Sequence, residues 1–246
     1  RVGVQELLLL PCRAKRISVE YRPKSHVRRM EYSKRSSGMT ARVGVIDYGC
    51  GNLKSVTNAL RYVGAEPQLV TTPDQIRCHS HIILPGVGAF GAASETLRNT
   101  GFEETLQQLY AEAQVPILGI CLGMQLMCSY SEEGGKYEGL GWFDAQVIPI
   151  DVGTSALKIP HMGWNSLSIR QETEFEEFHG LTEKSDVYFL HSYCVNCSDS
   201  SDIVATTTHG SEFTSVFAKG IVWGVQFHPE KSQLTGLNFL EAFTRI

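Results

Sequence analysis

Apolar and polar positions follow two regimes along this chain. Val43-Gly44-Val45-Ile46-Asp47 is a short, nearly continuous apolar run of the kind a strand buried on both faces requires. Asn52 to Val63 then shows helical spacing and closes at Gly64. The cycle repeats, with strands at Glu66 to Val70 and His81 to Leu84, one helix from about Ser94 to Glu112, a strand at Val115 to Ile120 and a helix after Cys121. This alternation predicts a parallel sheet covered by helices. From Leu140 the pattern changes to short strands separated by turns, at Ala145 to Ile150, Asn165 to Ile169, Val187 to Leu190, Ile203 to Thr208, Phe213 to Ala218 and Ile221 to Gln226. A last helix runs from about Leu234 to Phe243. The predicted class is therefore α/β, an open sheet that is mostly parallel with an antiparallel portion, flanked by helices.

Composition narrows the picture. With 246 residues, 42% of them hydrophobic, the chain can bury a sizeable core, as one domain or one domain plus an extension. No apolar run is long enough to span a bilayer, so no membrane role is expected. Seven cysteines, an odd number, and no secretory signal point to a reducing, cytoplasmic setting. The net charge of -4 conceals an asymmetry, because residues 1–38 hold ten Lys/Arg and three acids, leaving twelve basic and 23 acidic residues in the remainder. An acidic body makes nucleic acid a poor partner. Residues 1–38 read as a basic, disordered or accessory leader upstream of Met39, with an organellar targeting peptide as the alternative. Residues 39–246 read as the functional domain.

The candidate chemistry sits at two places. Gly119-Ile120-Cys121-Leu122-Gly123 joins a strand to a helix, and the flanking glycines are expected to let the chain reverse sharply and present one side chain at the tip. A thiol at a helix N-terminus lies near the positive end of the dipole, which predisposes Cys121 to act as a nucleophile. Further on, Gly224-Val225-Gln226-Phe227-His228-Pro229-Glu230 is extended, so His228 and Glu230 at i and i+2 share a face. Pro229 cannot donate to a ladder and marks where the segment leaves its sheet. Together these give a cysteine nucleophile, a histidine acid and base, and a carboxylate that fixes the imidazole. Cys12, Cys50, Cys78, Cys128, Cys194 and Cys197 read as ordinary small hydrophobes. Cys194 and Cys197 have metal-ligand spacing, yet no second Cys/His pair accompanies them, so no metal or other cofactor is expected. Gly86 to Gly91 lacks the features of a nucleotide loop.

The motifs then carry a resemblance, over residues from about Arg42 to the C-terminus. Asp47-Tyr48-Gly49-Cys50-Gly51-Asn52-Leu53, Pro85-Gly86-Val87-Gly88-Ala89-Phe90, Gly119 to Gln125, Gly139-Leu140-Gly141-Trp142, Pro160-His161-Met162-Gly163-Trp164-Asn165, His191-Ser192-Tyr193 and Gly224 to Ser232 follow one another in order. In these the chain resembles class I, triad-type glutamine amidotransferases, whose open sheet is flavodoxin-like, and more narrowly the glutaminase-subunit family of imidazole glycerol phosphate synthase from histidine biosynthesis. Cys194 departs from that pattern, where a second aromatic after Tyr193 is usual.

The resemblance implies that Cys121 attacks the side-chain amide of L-glutamine, that His228 protonates departing ammonia and then activates water, and that Glu230 orients His228. It implies an oxyanion hole from Leu122 and the Gly86-Val87-Gly88 loop, whose glycines permit a peptide flip, and glutamine binding by Gln125, Ser192 and Tyr193. Gln125 lies one helical turn beyond Cys121, so both share a face. The resemblance further implies a heterodimer with a separate (β/α)8-barrel cyclase subunit that receives ammonia, and an interface that includes Asn52, Trp164 and Lys231. His161 and His191 read better as satisfied structural histidines. Three other readings remain open on the residues: a paralogue supplying ammonia for sugar modification, a catalytically silent regulatory module, and a cysteine peptidase.

Overall fold

The computed structural model describes residues 40–170, 181–182 and 185–246. The leader reading for residues 1–38 lies outside the described residues. The first half of the body runs β1 (Arg42–Ile46), α1 (Leu53–Tyr62), β2 (Glu66–Val70), β3 (His81–Gly86), α2 (Phe90–Asn99), α3 (Phe102–Glu112), β4 (Ile117–Cys121) and α4 (Leu122–Leu126). The second half contains β5 (Cys128–Ser131), β6 (Tyr137–Glu138), β7 (Phe143–Pro149), β8 (His161–Ser166), β9 (Ser168–Ile169), β10 (Asp186–His191) and β11 (Tyr193–Cys197). It closes with β12 (Ile203–His209), β13 (Ser211–Lys219), β14 (Val222–Val225) and α5 (Gln233–Phe243).

Among the described residues, one large sheet has the order β2-β1-β3-β4-β14-β13-β11-β7-β5-β6, with β12 and β9 branching from β13. Its first five strands pair in parallel, and the pairings from β14 through β13 and β11 to β7 are antiparallel. Strands β8 and β10 form a separate antiparallel ribbon. The alternation of side chains along β4 shows why the sheet needs cover on both faces. Leu118 and Ile120 enter a cluster with Val56, Leu60 and Phe239 of α1 and α5, while Ile117 joins Leu97, Phe102 and Leu106 of α2 and α3 on the other side.

Several elements differ from the pattern-based expectation, in which β5 and β6 had no counterpart. The helix expected from Ser94 to Glu112 starts earlier and is two helices, broken at Gly101, whose φ of 77° is left-handed. The strand expected from Val115 begins at Ile117, because Pro116 offers only its carbonyl, which accepts from the Ile82 N–H. The run from Asn165 to Ile169 divides between β8 and β9, which pair with different strands. Strand β11 and most of β8 carry too little apolar alternation to be read as strands; in β8 only His161 is buried.

Candidate active site

Strand order brings the candidates together. Gly86 at the end of β3 is the register partner of Cys121 at the end of β4. On the other side of β4, Val225 of β14 stands opposite Ile120, so the chain leaving β14 delivers Gln226 and His228 to the same edge. This is the carboxyl end of three neighbouring parallel strands, where ligands of open α/β sheets bind.

The turn at the nucleophile works differently from the expectation. Cys121 itself bears the unusual backbone, with φ 54° and ψ -109°, a sparsely populated conformation that a surrounding structure must hold in place. Gly119 and Gly123 are absent from the positive-φ residues and serve close packing instead. A Cβ on Gly123 would lie 1.8 Å from the Leu84 carbonyl oxygen, and one on Gly119 would lie 2.7 Å from the Met124 nitrogen. The two glycines let α4 sit directly on β3 and β4, which pins Cys121 at the tip. Helix α4 has only five residues, so its dipole is that of about one turn.

His228 and Glu230 form a buried pair, with 2.9 Å between Nδ1 and Oε1 and side-chain exposures of 3% and 1%. The contact fixes Nδ1 as the protonated nitrogen and leaves Nε2, which has no hydrogen-bond partner among the described residues, for chemistry. Burial lowers the basicity of this imidazole, but the neighbouring Cys121 and Glu230 outweigh it and raise its pKa to about 10. Cys121 is therefore close enough to His228 to favour its protonated form. The imidazole is protonated through the neutral range and able to act as an acid at Nε2.

The remaining candidates surround the sulfur. The Gln125 side-chain amide donates to the Tyr193 carbonyl at 2.9 Å and to Gln226 Oε1 at 3.0 Å. Both of its N–H groups are thus engaged within the protein, and only Oε1 remains to accept from a ligand. Gln226, fully buried, donates through Nε2 to the Cys121 sulfur at 3.6 Å. Sequence reasoning passed over Gln226 as one more residue of a strand, and only its neighbours in space reveal it. Ser192 and Tyr193 are half-buried at the start of β11. Leu122 directly follows the nucleophile, and a Cβ on Gly86 would lie 2.9 Å from its Cβ. In the loop beyond Gly86, Gly88 has φ 112° with open space around it, and Val87 is 42% exposed. A second unforeseen residue, Glu133, anchors the far end of this loop by accepting from the Phe90 N–H at 2.7 Å, at the start of α2.

The glutamine amidotransferase class-I family model matches residues 44–245. The subunit HisH of imidazole glycerol phosphate synthase from Sulfurimonas denitrificans is 43% identical over 205 residues, covering 82% of this chain and 97% of that protein. The HisH subunit from Caldanaerobacter subterraneus subsp. tengcongensis is 45% identical over 201 residues, covering 82% and 96%. The chain belongs to the HisH branch of the class-I glutamine amidotransferases. Solved structures agree on the fold: PurLQS from Thermotoga maritima aligns with a TM-score of 0.64 at 21% identity, covering 85% of this chain and 98% of that one. A glutamine amidotransferase from the same organism aligns with a TM-score of 0.56 at 19% identity, covering 84% and 83%.

In this amidotransferase the candidate interface residues do not behave alike. Asn52 caps α1, accepting from the Ser55 N–H at 3.4 Å, so it has a structural task whatever else it does. Trp164, 49% exposed, meets Tyr188 edge to face with 6.1 Å between centroids, and Lys231 Nζ lies 5.7 Å from the same Tyr188 ring. Tyr188 thus joins two of the candidates and was missed; its place as an outward position between buried Val187 and Phe189 was the available signal.

Of the other cysteines, Cys128, Cys194 and Cys197 are buried packing groups, Cys50 is half-buried and Cys78 is exposed rather than buried, while Cys12 lies outside the described residues. Cys194 is 3% exposed, and burial pushes its thiol up to about 12. Cys194 and Cys197 enter different core clusters on opposite faces of the sheet, so their spacing in sequence does not make a shared site. Among the described residues no helix is long and apolar enough to cross a membrane.

Proposed function

We propose that this chain is the glutaminase subunit of an imidazole glycerol phosphate synthase, hydrolysing L-glutamine to L-glutamate and ammonia. The observation that carries the chemistry is the buried His228–Glu230 pair coupled to a nucleophile held in a strained turn. With the proton of the pair held on His228, the Cys121 thiolate attacks the amide carbon of glutamine, and the negative charge that forms on the amide oxygen is met by N–H groups of Leu122 and the Gly86-Val87-Gly88 loop. His228 passes its Nε2 proton to the leaving nitrogen as the C–N bond breaks, releasing ammonia and leaving a thioester on Cys121. The now neutral His228 takes a proton from water, which attacks the thioester and frees glutamate. Glu230 holds the imidazole orientation throughout. Gln125, Ser192 and Tyr193 border the substrate.

Ammonia released into water near neutral pH becomes mostly ammonium, a poor nucleophile, which favours delivery within a complex. The recipient in this reading is a separate (β/α)8-barrel cyclase subunit that docks near Asn52, Trp164 and Lys231 and forms imidazole glycerol phosphate and an aminoimidazole carboxamide ribotide. Mixing the chain with such a barrel subunit and its ribotide, then following glutamate and imidazole glycerol phosphate together, tests this. Glutamate without the second product would leave the glutaminase standing and reject the pathway.

A further inference from the structure

Behind the substrate edge lies a set of imidazoles that the triad does not use. His161 Nδ1 and His191 Nε2 are 3.0 Å apart, both residues being buried. His191 Nδ1 lies 2.9 Å from the Tyr193 carbonyl oxygen, and Asn165 Nδ2 lies 3.2 Å from His161 Nε2. A carbonyl can only accept, so His191 carries its proton on Nδ1 and offers Nε2 as acceptor. His161 must then donate from Nδ1 and accept at Nε2. Asn165 is already oriented for this, because its Oδ1 accepts the Ser166 N–H at 2.9 Å and its Nδ2 also donates to the Thr208 carbonyl at 3.0 Å.

A second arm meets the first at Tyr193. Its carbonyl accepts from Gln125 as well as from His191, the other Gln125 N–H goes to Gln226, and Gln226 donates to the Cys121 sulfur. Each of these donors has an acceptor: the arm from Asn165 and the Gln125 amide converge as two donors on one carbonyl, and turning over the Gln125 amide would set its oxygen against the Tyr193 and Gln226 oxygens. Resting on the glutaminase reading above, we propose that His191 and His161 are positioning residues for glutamine hydrolysis: the hydrogen bonds from Asn165 on β8 fix the Tyr193 carbonyl, the acceptor that orients Gln125, and Gln125 in turn holds the Gln226 N–H on the nucleophile. Burial keeps both imidazoles neutral, moving His161 down to about 4 and His191 down to about 3, as this pair of tautomers requires. His209 stacks on His161 at 4.1 Å between centroids and covers it from the side.

The alternative is that the rings merely fill space, since His191 packs against Phe213 and Phe189. Two substitutions separate the roles. His191→Phe keeps the aromatic volume and removes the donor, whereas His191→Asn loses volume and restores an N–H near the position of Nδ1. Steady-state glutamate production and the rate of Cys121 alkylation by iodoacetamide are measured for both, beside the unaltered chain. His191→Phe is expected to lower kcat by about tenfold to a hundredfold, the scale of a lost hydrogen bond to a charged group, and to change the alkylation rate, with His191→Asn recovering most of both. Gln226→Met, of matched length and without an N–H, should give the same loss, and the double variant should lose no more than either single one. Full function in His191→Phe with failure of His191→Asn, or losses that multiply in the double variant, would overturn the proposal. Absence of glutaminase activity in the unaltered chain would count against the functional reading alone, because alkylation still ranks the variants.

Discussion

The Cys121 sulfur lies 3.8 Å from the Leu190 carbonyl oxygen. Leu190 is two residues along β10 from Tyr188, the ring that joins Trp164 and Lys231 at the surface. The Tyr188 carbonyl in turn accepts from the His228 N–H at 2.9 Å. One short strand therefore touches Cys121, His228 and the exposed aromatic cluster.

Replacing Cys121 by Ala should abolish glutamine hydrolysis while the complex with the barrel subunit keeps synthesis from added ammonia. The nucleophile and the acceptor chemistry lie on different subunits in the proposed reading, and removing the group that forms the covalent bond leaves only binding. Glutamate and product assays on the same preparation check both halves. Residual hydrolysis near the original rate would remove Cys121 from its role.

Glu230→Gln tests the electrostatics of the pair through pH. Glu230 is among the groups that raise His228 to about 10, and Gln can accept the Nδ1–H without supplying charge. The imidazolium should then be lost at a pH roughly one to three units lower, moving the alkaline limb of glutamine hydrolysis down by the same amount. The sign for stability follows the same shift. A raised folded-state pKa contributes stability that is complete below about 6.5 and is lost as pH rises through about 10. Rate profiles of the two proteins that superimpose above neutrality would contradict this.

Local chemistry was legible in the sequence and long-range contact was not. Cys121, His228 and Glu230 could be read because a glycine-framed turn and an i, i+2 pair in an extended segment are local patterns. Gln226 could not, since its task depends on Gln125 and Cys121, 101 and 105 positions away. Most of β8 escaped for a related reason: outside the main sheet it shows little of the apolar alternation that burial imposes, whereas its partner β10 alternates and was expected at Val187 to Leu190. The glycines flanking Cys121 were found in the right place for a different cause, close packing rather than backbone freedom.

That packing is open to direct test. Gly123→Ala sets a methyl 1.8 Å from the Leu84 carbonyl oxygen, a backbone atom that cannot move aside cheaply. The expected cost is about 1–3 kcal/mol or more, lowering the melting temperature by about 2–4 °C per kcal/mol and displacing Cys121. Gly134→Ala is the control, because nothing lies within 4 Å of a Cβ there and its φ of 67° isolates backbone strain from collision. Equal effects at the two positions would refute the packing argument.

Acid should destabilise the protein through the histidine series. His161 and His191 are held neutral, at about 4 and about 3, while the unfolded chain protonates histidine near 6.5. The unfolded state thus binds more protons below that value, so stability falls as pH drops from about 6.5 toward 3. Urea titrations of the unaltered chain and of His161→Asn across this window should show a shallower decline in the variant. Parallel declines would mean that other groups govern acid unfolding.

The isolated chain should hydrolyse glutamine poorly, and the barrel subunit carrying its ribotide should accelerate it strongly. The expectation rests on the Gly86-Val87-Gly88 loop, where Val87 is 42% exposed and Gly88 has open space around it. If the resting loop directs a carbonyl rather than an N–H at the developing oxyanion, one donor is missing with the triad intact. That loss is on the order of a hundredfold to a thousandfold in rate. A partner seated on Trp164, Tyr188 and Lys231 would bear on β10, and so on the backbone that touches Cys121 and His228, biasing the population toward the productive arrangement. Glutamate production is compared for the chain alone, the complex, and the complex with ribotide, in the unaltered protein and in Tyr188→Ala. Acceleration by ribotide that Tyr188→Ala weakens supports transmission through β10. Equal turnover in all three states would reject gating while leaving the triad assignment intact.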